Sequence, residues 1–361
     1  MRLVLLGDGD SPHLLKWARA LAPQVDLWAA SSRGFAEGFD ALVPVQRRLA
    51  LNTRPDFEGG NAALLRQLPR LAAWLRQVRA DWIHAHYLSS HGTLALLATR
   101  WLGAPGRLVG SAWGSDILVT PQRSRVLRWL TRRVLRACAL TTSDSQVMAQ
   151  RMRALGAGEV MVFPFGLETL PPLPPAGHKP PHAFFANRGL ETVYAPQRVI
   201  QVFAGLARAW PDAELVLAND GALRAALQRQ VADAGLQQQV RFVGRLDAHA
   251  QDACYARARW YLSLPESDSV SVSVLEALAQ GCIPILSDLP ANHELVRSGD
   301  NGLVLSASQP PTADQLASLL PRAEAIAATN HAWVAGHAMF GPSVAAFLAR
   351  LRALQAEAPR L

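Results

Sequence analysis

Two carboxylates, Asp268 and Glu276, stand eight positions apart in Pro265-Glu266-Ser267-Asp268-Ser269-Val270-Ser271-Val272-Ser273-Val274-Leu275-Glu276-Ala277-Leu278-Ala279-Gln280-Gly281. The apolar run ending at Leu264 predicts a strand, the small polar residues after it a loop, and a helix beginning near Val272. Loop and first turn then offer unpaired backbone N–H groups at the positive end of a helix, a cradle for a diphosphate. Asp268 precedes the helix and Glu276 lies inside it, so one carboxylate can face a sugar while the other reaches further along the same ligand. Ionised carboxylates accept from paired hydroxyls, which suits a ribose diol or a hexose. The plainer reading is a solvated cap and a surface Glu. The apolar run around Glu276 weighs against it, because an unpaired carboxylate there is costly.

Other chemistries find less support. Asp8-Gly9-Asp10 has the spacing of a metal-binding Asp-x-Asp, but a polar turn after a first strand accounts for it. His84 and His86 share one side of a strand if it continues that far, as metal ligands do. With no third His or Cys at ligand spacing, a core His84 and a cleft-facing His86 are expected, and no metal. Gly7-x-Gly9 lacks the third glycine of a dinucleotide fingerprint. No Gly-x-Ser-x-Gly elbow occurs. Cys138, Cys254 and Cys282 are odd in number and far apart, which predicts free thiols in a reducing cytoplasm.

One segment is strongly basic. Between Pro121 and Ala139, Arg123, Arg125, Arg128, Arg132, Arg133 and Arg136 alternate with Val126, Leu127, Trp129, Leu130, Val134 and Leu135, without an acid. A helix here has an apolar face and a cationic one. Such a helix can lie on anionic lipid; it can equally be a domain helix with a buried face and solvated arginines. The wider charge agrees with the cluster. Of the net +8, residues 1–175 hold 21 Lys and Arg against 12 Asp and Glu, so the second half is close to neutral. Such asymmetry implies a partner carrying phosphates, namely nucleic acid, an anionic membrane or a phosphorylated ligand.

The elements that position these residues follow from the alternation of short apolar runs and longer helical patterns. Strands are expected at residues 2–6, 25–29, 82–84, 107–111, 139–142 and 160–163, and again at 183–186, 214–218, 240–243, 260–264, 283–286 and 302–305. Helices fall between them, among them 12–21, 61–78 and 124–137, with 313–328 and 343–356 closing the chain. Alternating βα units imply parallel sheets covered by helices. Between the two series, Leu170-Pro171-Pro172-Leu173-Pro174-Pro175 and Pro180-Pro181 exclude helix and central strand and read as a semi-rigid linker. The expected organisation is an N-terminal domain over 1–169, a linker over 170–181, a C-terminal domain over 182–337, and a last helical segment, 338–361, crossing back to the first domain. Doubly wound domains bind ligands at the carboxyl ends of their strands, here in a cleft between the two. At 361 residues, half of them apolar and with ten tryptophans, the chain can fill two cores, and disorder is excluded. No apolar run is long enough to span a bilayer, and Met1–Leu6 is too short for a signal peptide. A soluble cytoplasmic protein is expected.

The Asp268–Gly281 segment resembles the signature of retaining glycosyltransferases of family 4, which have the α/β GT-B fold of two Rossmann-like domains. There two Glu stand with seven residues between them; Glu276 matches the second and Asp268 takes the place of the first. The similarity extends to Gly281-Cys282-Ile283-Pro284-Ile285, Asn301-Gly302-Leu303, Asp81-Trp82-Ile83-His84-Ala85-His86, Trp113-Gly114-Ser115-Asp116, Pro164-Phe165-Gly166-Leu167-Glu168 and Arg241-Phe242-Val243-Gly244. The resemblance implies a metal-independent hexosyltransferase of bacterial surface-glycan type, and the basic Arg123–Arg136 stretch would let it lie peripherally on the inner membrane face. Its donor is a nucleoside diphosphate sugar, UDP favoured over GDP. The acceptor is a glycan or a lipid-linked molecule, nucleic acid is not a partner, and no cofactor is needed.

By the same resemblance Glu276 holds the ribose, while Asp268 and the backbone of Ser269, Val270, Ser271, Val272 and Ser273 contact the sugar and diphosphate. Arg188 stands at the diphosphate with Asn187 beside it among the donor-binding residues, Arg245 lies in the base-binding loop, and Gly9 approaches the diphosphate in a turn after the first strand. Arg188, Asp268 and Glu276 form the catalytic set; His13, His86, Trp113 and Asp116 are assigned to the acceptor. Three positions depart from the family. Val193 and Tyr194 stand where a diphosphate-binding Lys is usual, with Arg198 the nearest substitute. Asp268 replaces Glu, and Trp113 replaces a His. A GT-B-fold sugar-nucleotide epimerase shares the nucleotide site but needs acid–base carboxylates. A nucleic-acid-binding protein is suggested by the basic half alone and has no recognisable module.

Overall fold

The computed structural model describes residues 1–53, 62–306 and 309–357. They form two compact units, Met1–Phe163 with Gly341–Leu361, and Pro164–Phe340. The residues expected as a linker lie within the second unit. Lys179, one of only two lysines in the chain, is buried there and donates to the carbonyls of Tyr255 (2.6 Å) and Ala258 (2.7 Å) at the end of the helix Ala248–Arg257. A cation at a helix C-terminus satisfies carbonyls that have no partner within the helix.

In the first unit, β1 (Arg2–Gly9), β2 (Asp26–Phe35), β3 (Arg48–Ala50), β4 (Trp82–His86), β5 (Arg107–Ser111), β6 (Cys138–Ser143) and β7 (Val160–Val162) form one parallel sheet, in the order β3-β2-β1-β4-β5-β6-β7. Helix Leu68–Val78 lays Leu71, Leu75 and Val78 on Val4, Leu6 and Ile83. A separate cluster gathers Leu88, Val134, Leu135, Met148 and Met152. The second unit repeats the plan with β8 (Ala183–Ala186), β9 (Glu214–Ala218), β10 (Val240–Gly244), β11 (Trp260–Ser263), β12 (Ile283–Ser287) and β13 (Leu303–Leu305), ordered β10-β9-β8-β11-β12-β13. Phe184, Leu215, Trp260 and Ile283 pack with Val199, Phe203 and Leu206 of the helix Pro196–Ala209; Phe185, Tyr261, Val274 and Leu278 belong to a second cluster. Strands buried on both sides need apolar residues throughout, which is why they are legible as continuous runs. Each sheet reverses its winding once, between β1 and β4 and between β8 and β11, and ligands of such sheets bind beyond the strand ends at that reversal.

Several elements differ from expectation. The first strand continues through Gly9, so Gly7-Asp8-Gly9 is strand with a register shift rather than a turn. Gly9 N donates to Ser31 Oγ at 2.8 Å, and a Cβ at Gly9 would stand 2.4 Å from the Gly34 carbonyl, so only glycine fits. The edge strand β3 is too short to show a pattern. The helix expected over 61–78 is two helices, Ala62–Arg66 and Leu68–Val78, with Pro69 in the first turn of the second; Asn61 lies outside the described residues. The one expected over 313–328 breaks near Pro321 into Ala313–Ala317, a short 3-10 turn and Ala323–His337. The last runs from Phe340 to Glu357. Among the described residues no helix is long and apolar enough to cross a membrane, and no group of three or more His, Cys, Asp or Glu could hold a metal.

Candidate functional site

Where β8 and β11 end, the second unit brings three of the expected residues together. Arg188, two positions beyond β8, extends its guanidinium to the loop after β11. Nη2 donates to Asp268 Oδ2 at 2.6 Å, and Nη1 donates to the hydroxyls of Ser271 and, at 3.3 Å, Ser273. Its guanidinium carbon lies 4.4 Å from the centre of the Tyr194 ring, a cation–π contact. Asp268 also accepts from the Ser269 amide at 3.0 Å. Burial pushes the Asp268 carboxyl up, and Arg188 pulls it partly back. Ser271 is the N-cap of the helix Val272–Ala279 but makes no side-chain cap bond. Its hydroxyl is engaged with Arg188 and, at 2.8 Å, with Ser273. The first-turn amides of Val272 and Ser273 have no acceptor further back in the helix, which leaves them for an anion. Val270 packs its side chain into the core, so that residue can offer only its backbone.

Glu276 is half-buried on the same helix and is paired. Its Oε2 accepts from Gln251 Nε2 (3.1 Å) and lies 2.9 Å from the Tyr255 hydroxyl. Asn187, expected among the donor-binding residues, engages its side chain within the protein. Its Nδ2 donates to Tyr255 Oη at 2.8 Å and its Oδ1 accepts from Tyr261 Oη at 2.7 Å. Arg245 is exposed after Gly244 at the end of β10. Arg198 donates to the Leu264 carbonyl at 3.5 Å, where the loop carrying Asp268 begins.

The first unit gathers its candidates where β1 and β4 end. His86 and His84 are buried, with ring centres 4.2 Å apart and Trp17 edge-on to both. His86 Nδ1 accepts from Trp113 Nε1 at 3.2 Å; exposed His13 packs its ring 4.8 Å from that of half-buried Trp113. Indole N–H is only a donor, so the one proton of neutral His86 sits on Nε2. Burial drives His84 down to about 3 and His91 to about 4, and His86 well below its ordinary value with the neighbouring histidines adding to it. Asp116, expected to face the acceptor, points inward instead. It has no exposed surface, and its oxygens accept from the amides of Leu88 (2.7 Å) and Trp113 (2.9 Å). Gly114 precedes it at φ +103°, a turn that favours glycine. Asp116 therefore shapes the loop that carries Trp113, and burial raises its carboxyl to about 6. Gly9 belongs to this unit, packed against β2 as described.

The basic helix runs Arg125–Ala137, capped by Ser124, whose hydroxyl accepts from the Leu127 amide at 3.1 Å. Val134 and Leu135 are core, whereas Val126 (71% exposed) and Trp129 (54%) stand outside among the arginines. Arg125, Arg128, Arg132, Arg133 and Arg136 line a shallow concavity of about 370 Å³ with Trp129, over which Arg133 stacks at 5.2 Å.

Two family models match the chain. Residues 174–334 match glycosyl transferases group 1, and residues 2–145 match glycosyl transferase 4-like. The chain is a GT-B glycosyltransferase of the family 4 type. No curated protein matches it. Among solved structures, the transferase is similar to Anabaena Alr3699/HepE in complex with UDP-glucose, at 17% identity and TM-score 0.76 over 97% of this chain and 100% of that one. It is similar also to sucrose-phosphate synthase from Thermosynechococcus elongatus, at 16% and 0.78 over 99% and 100%. A third is the lipopolysaccharide outer core galactosyltransferase WaaB in its apo form, at 15% and 0.64 over 93% and 94%. At these identities the likeness speaks to the fold.

Sequence reasoning missed three side chains of the transferase's second unit: Gln251, Tyr255 and Tyr261. Tyr255 and Tyr261 have no exposed surface, and in sequence a buried tyrosine looks like any core aromatic. Their hydroxyls were the available signal, because a buried phenol needs a partner.

Proposed function

We propose that the transferase moves a hexose from a nucleoside diphosphate sugar, UDP being the favoured nucleotide, to a glycan or lipid-linked acceptor with retention of anomeric configuration. The setting proposed is the synthesis of bacterial surface polysaccharide or glycolipid. The observation that carries this reading is the meeting of Arg188, Asp268, Ser271 and Ser273 at the open first turn of the helix Val272–Ala279. On this reading Glu276 accepts from the ribose hydroxyls, Arg188 and the backbone of Ser269–Ser273 hold the diphosphate, and Asp268 contacts the transferred sugar. As the bond between anomeric carbon and diphosphate oxygen breaks, negative charge grows on the diphosphate. A fixed guanidinium and oriented amides stabilise that charge most where it is greatest. The leaving diphosphate takes the proton of the acceptor hydroxyl, so the carboxylates position rather than attack, and the cationic work falls to Arg188 instead of a metal ion. His13, His86 and Trp113 are assigned to the acceptor. Support comes from one protein of the same fold, Anabaena Alr3699/HepE, described with UDP, with UDP-glucose, and with UDP and glucose.

The test is a thermal-shift screen of UDP, GDP and their hexose conjugates, followed by NMR of the product's anomeric proton. A nucleotide at a hundred times its Kd adds about 2.7 kcal/mol. Stabilisation by none of them, or an inverted product, overturns the reading; donor turnover without acceptor marks an epimerase.

Peripheral attachment to the cytoplasmic membrane is part of the proposal and rests on the helix Arg125–Ala137, where exposed Trp129 and Val126 stand among five arginines. Exposed charges are screened over about 10 Å at 0.1 M salt, so binding to anionic vesicles falls as salt rises. Arg125→Glu with Arg132→Glu releases the protein from such vesicles in co-sedimentation and spares activity on a soluble acceptor. A wild-type protein that ignores anionic vesicles at low salt makes this an ordinary solvated helix.

A further inference from the structure

We infer that Tyr255 is a positioning residue for recognition of the nucleotide's sugar ring: its hydroxyl, driven by the buried Tyr261–Asn187 pair behind it, fixes the carboxylate of Glu276. The inference rests on the reading that Glu276 takes the ribose hydroxyls. Three bonds run in one direction. Tyr261 Oη donates to Asn187 Oδ1 at 2.7 Å, Asn187 Nδ2 donates to Tyr255 Oη at 2.8 Å, and Tyr255 Oη reaches Glu276 Oε2 at 2.9 Å. A hydroxyl that accepts one bond donates the next more strongly, so a chain of uniform direction concentrates its strength at the last acceptor. Neither phenol has exposed surface, and burial holds both well above the ordinary tyrosine value, so both keep their protons and remain donors.

Tyr255 has one proton and two acceptors in reach, the carboxylate and the Ser273 carbonyl at 3.0 Å. A bond to a charged oxygen is about twice as strong as one to a neutral oxygen, and this directs the proton to Glu276. The ring cannot swing away. It stands edge-on to Phe185 at 4.9 Å, and the carbonyl of Tyr255 is held by Lys179. Gln251 donates to the same Oε2 at 3.1 Å, so two donors from one helix set the plane of the carboxylate before any ligand arrives. A ligand diol then meets acceptors already oriented, and the ordering cost of binding is reduced.

The chain's continuation gives it a second end. Tyr255 also lies 3.0 Å from the carbonyl of Ser273, whose hydroxyl receives Arg188 at 3.3 Å. The groups proposed for the ribose and for the diphosphate thus belong to one connected polar network, and a change in its middle is felt at the ribose end.

Tyr255→Phe keeps the ring and its packing and removes only the hydroxyl. Calorimetric titration with UDP and with 2′,3′-dideoxy-UDP separates positioning from structure. In the variant, UDP binding weakens about five- to tenfold while dideoxy-UDP binding is unchanged, so the preference for the diol shrinks. Equal weakening of both nucleotides, or no change in either, overturns the inference. Glu276→Ala in the same titrations tests the reading beneath it. Loss of the diol preference there with its retention in Tyr255→Phe sinks the positioning role alone; retention in Glu276→Ala sinks both. Tyr261→Phe, two bonds further back, lowers the preference about two- to threefold and decides the matter if Tyr255→Phe does not fold.

Discussion

Both units bury polar side chains at the winding reversal of a parallel sheet, and they treat them differently. In the second unit, Tyr261, Asn187, Tyr255 and Glu276 are joined end to end. In the first, His84, His86 and His91 each use one ring nitrogen, on Ser111 (2.7 Å), Trp113 (3.2 Å) and the His86 carbonyl (2.8 Å). Their other nitrogens, Nδ1 of His84 and Nε2 of His86 and His91, have no partner among the described residues. A saturated network fixes geometry and is costly to break at any member. A half-saturated histidine cluster is tolerable only while its rings stay neutral, so its cost is tied to pH. One region fixes the geometry of its polar groups, and the other stores sensitivity to acid.

Breaking the second unit's network at its cationic end, where Arg188 keeps its Nε buried without a partner, has the largest effect. Arg188→Ala removes the cation from Asp268 and from the proposed diphosphate, and kcat falls about a hundred- to a thousandfold with a smaller change in KM. Steady-state kinetics with a fixed acceptor read this out; wild-type kcat would hand the role to Arg198, which lies beside the same loop.

The histidine cluster is sharpened by pH. Folded His84 titrates near 3 and His91 near 4, below the ordinary 6.5, and burial is the cause in each. As pH falls below 6.5 the unfolded chain binds protons that the folded chain refuses, so stability complete above 6.5 is lost toward 4. Asp116 acts in the opposite sense. Its folded value near 6 lies above the ordinary 3.8, so between these values the folded state binds the proton first and gains as pH falls. Each histidine contributes about 1.4 kcal/mol per pH unit to the acid loss. His84→Phe removes one such share, and urea unfolding at pH 7 and pH 5 should show the smaller gap between the two. An unchanged gap means the buried imidazole is already protonated.

The smallest effect compares single members. Asn187→Leu leaves two buried phenols short of a partner and costs about 1–3 kcal/mol in thermal or urea unfolding. His91→Phe at neutral pH costs less, because the ring it replaces is held through a single nitrogen. Equal losses would erase the distinction between the two clusters.

Much of this is legible in the sequence. The strands at Arg107–Ser111, Ala183–Ala186 and Glu214–Ala218 fall where their apolar runs predict. The helix opening at Val272 and the carboxylates flanking its start follow from residue type and order. Irregularities were hidden. The strand continuing through Gly9 depends on Gly34 and Ser31, which lie far along the chain. Asp116 reads as a ligand-facing acid because sequence carries no sign of which amides will surround it.

What the sequence determined by itself was therefore local and periodic: two series of βα units, a polar loop ahead of a helix, and a basic stretch without acids. Periodicity reports burial along one element, and spacing reports which side chains share its face. Tertiary structure alone decided the pairings. Arg188 meets Asp268 across 80 positions of chain, and Tyr255 meets Asn187 across 68 and Glu276 across 21. Hydrogen-bond partners are chosen by the packing of whole elements, and a phenol in a core helix has the same apolar signature whether its hydroxyl is idle or holds a carboxylate in place.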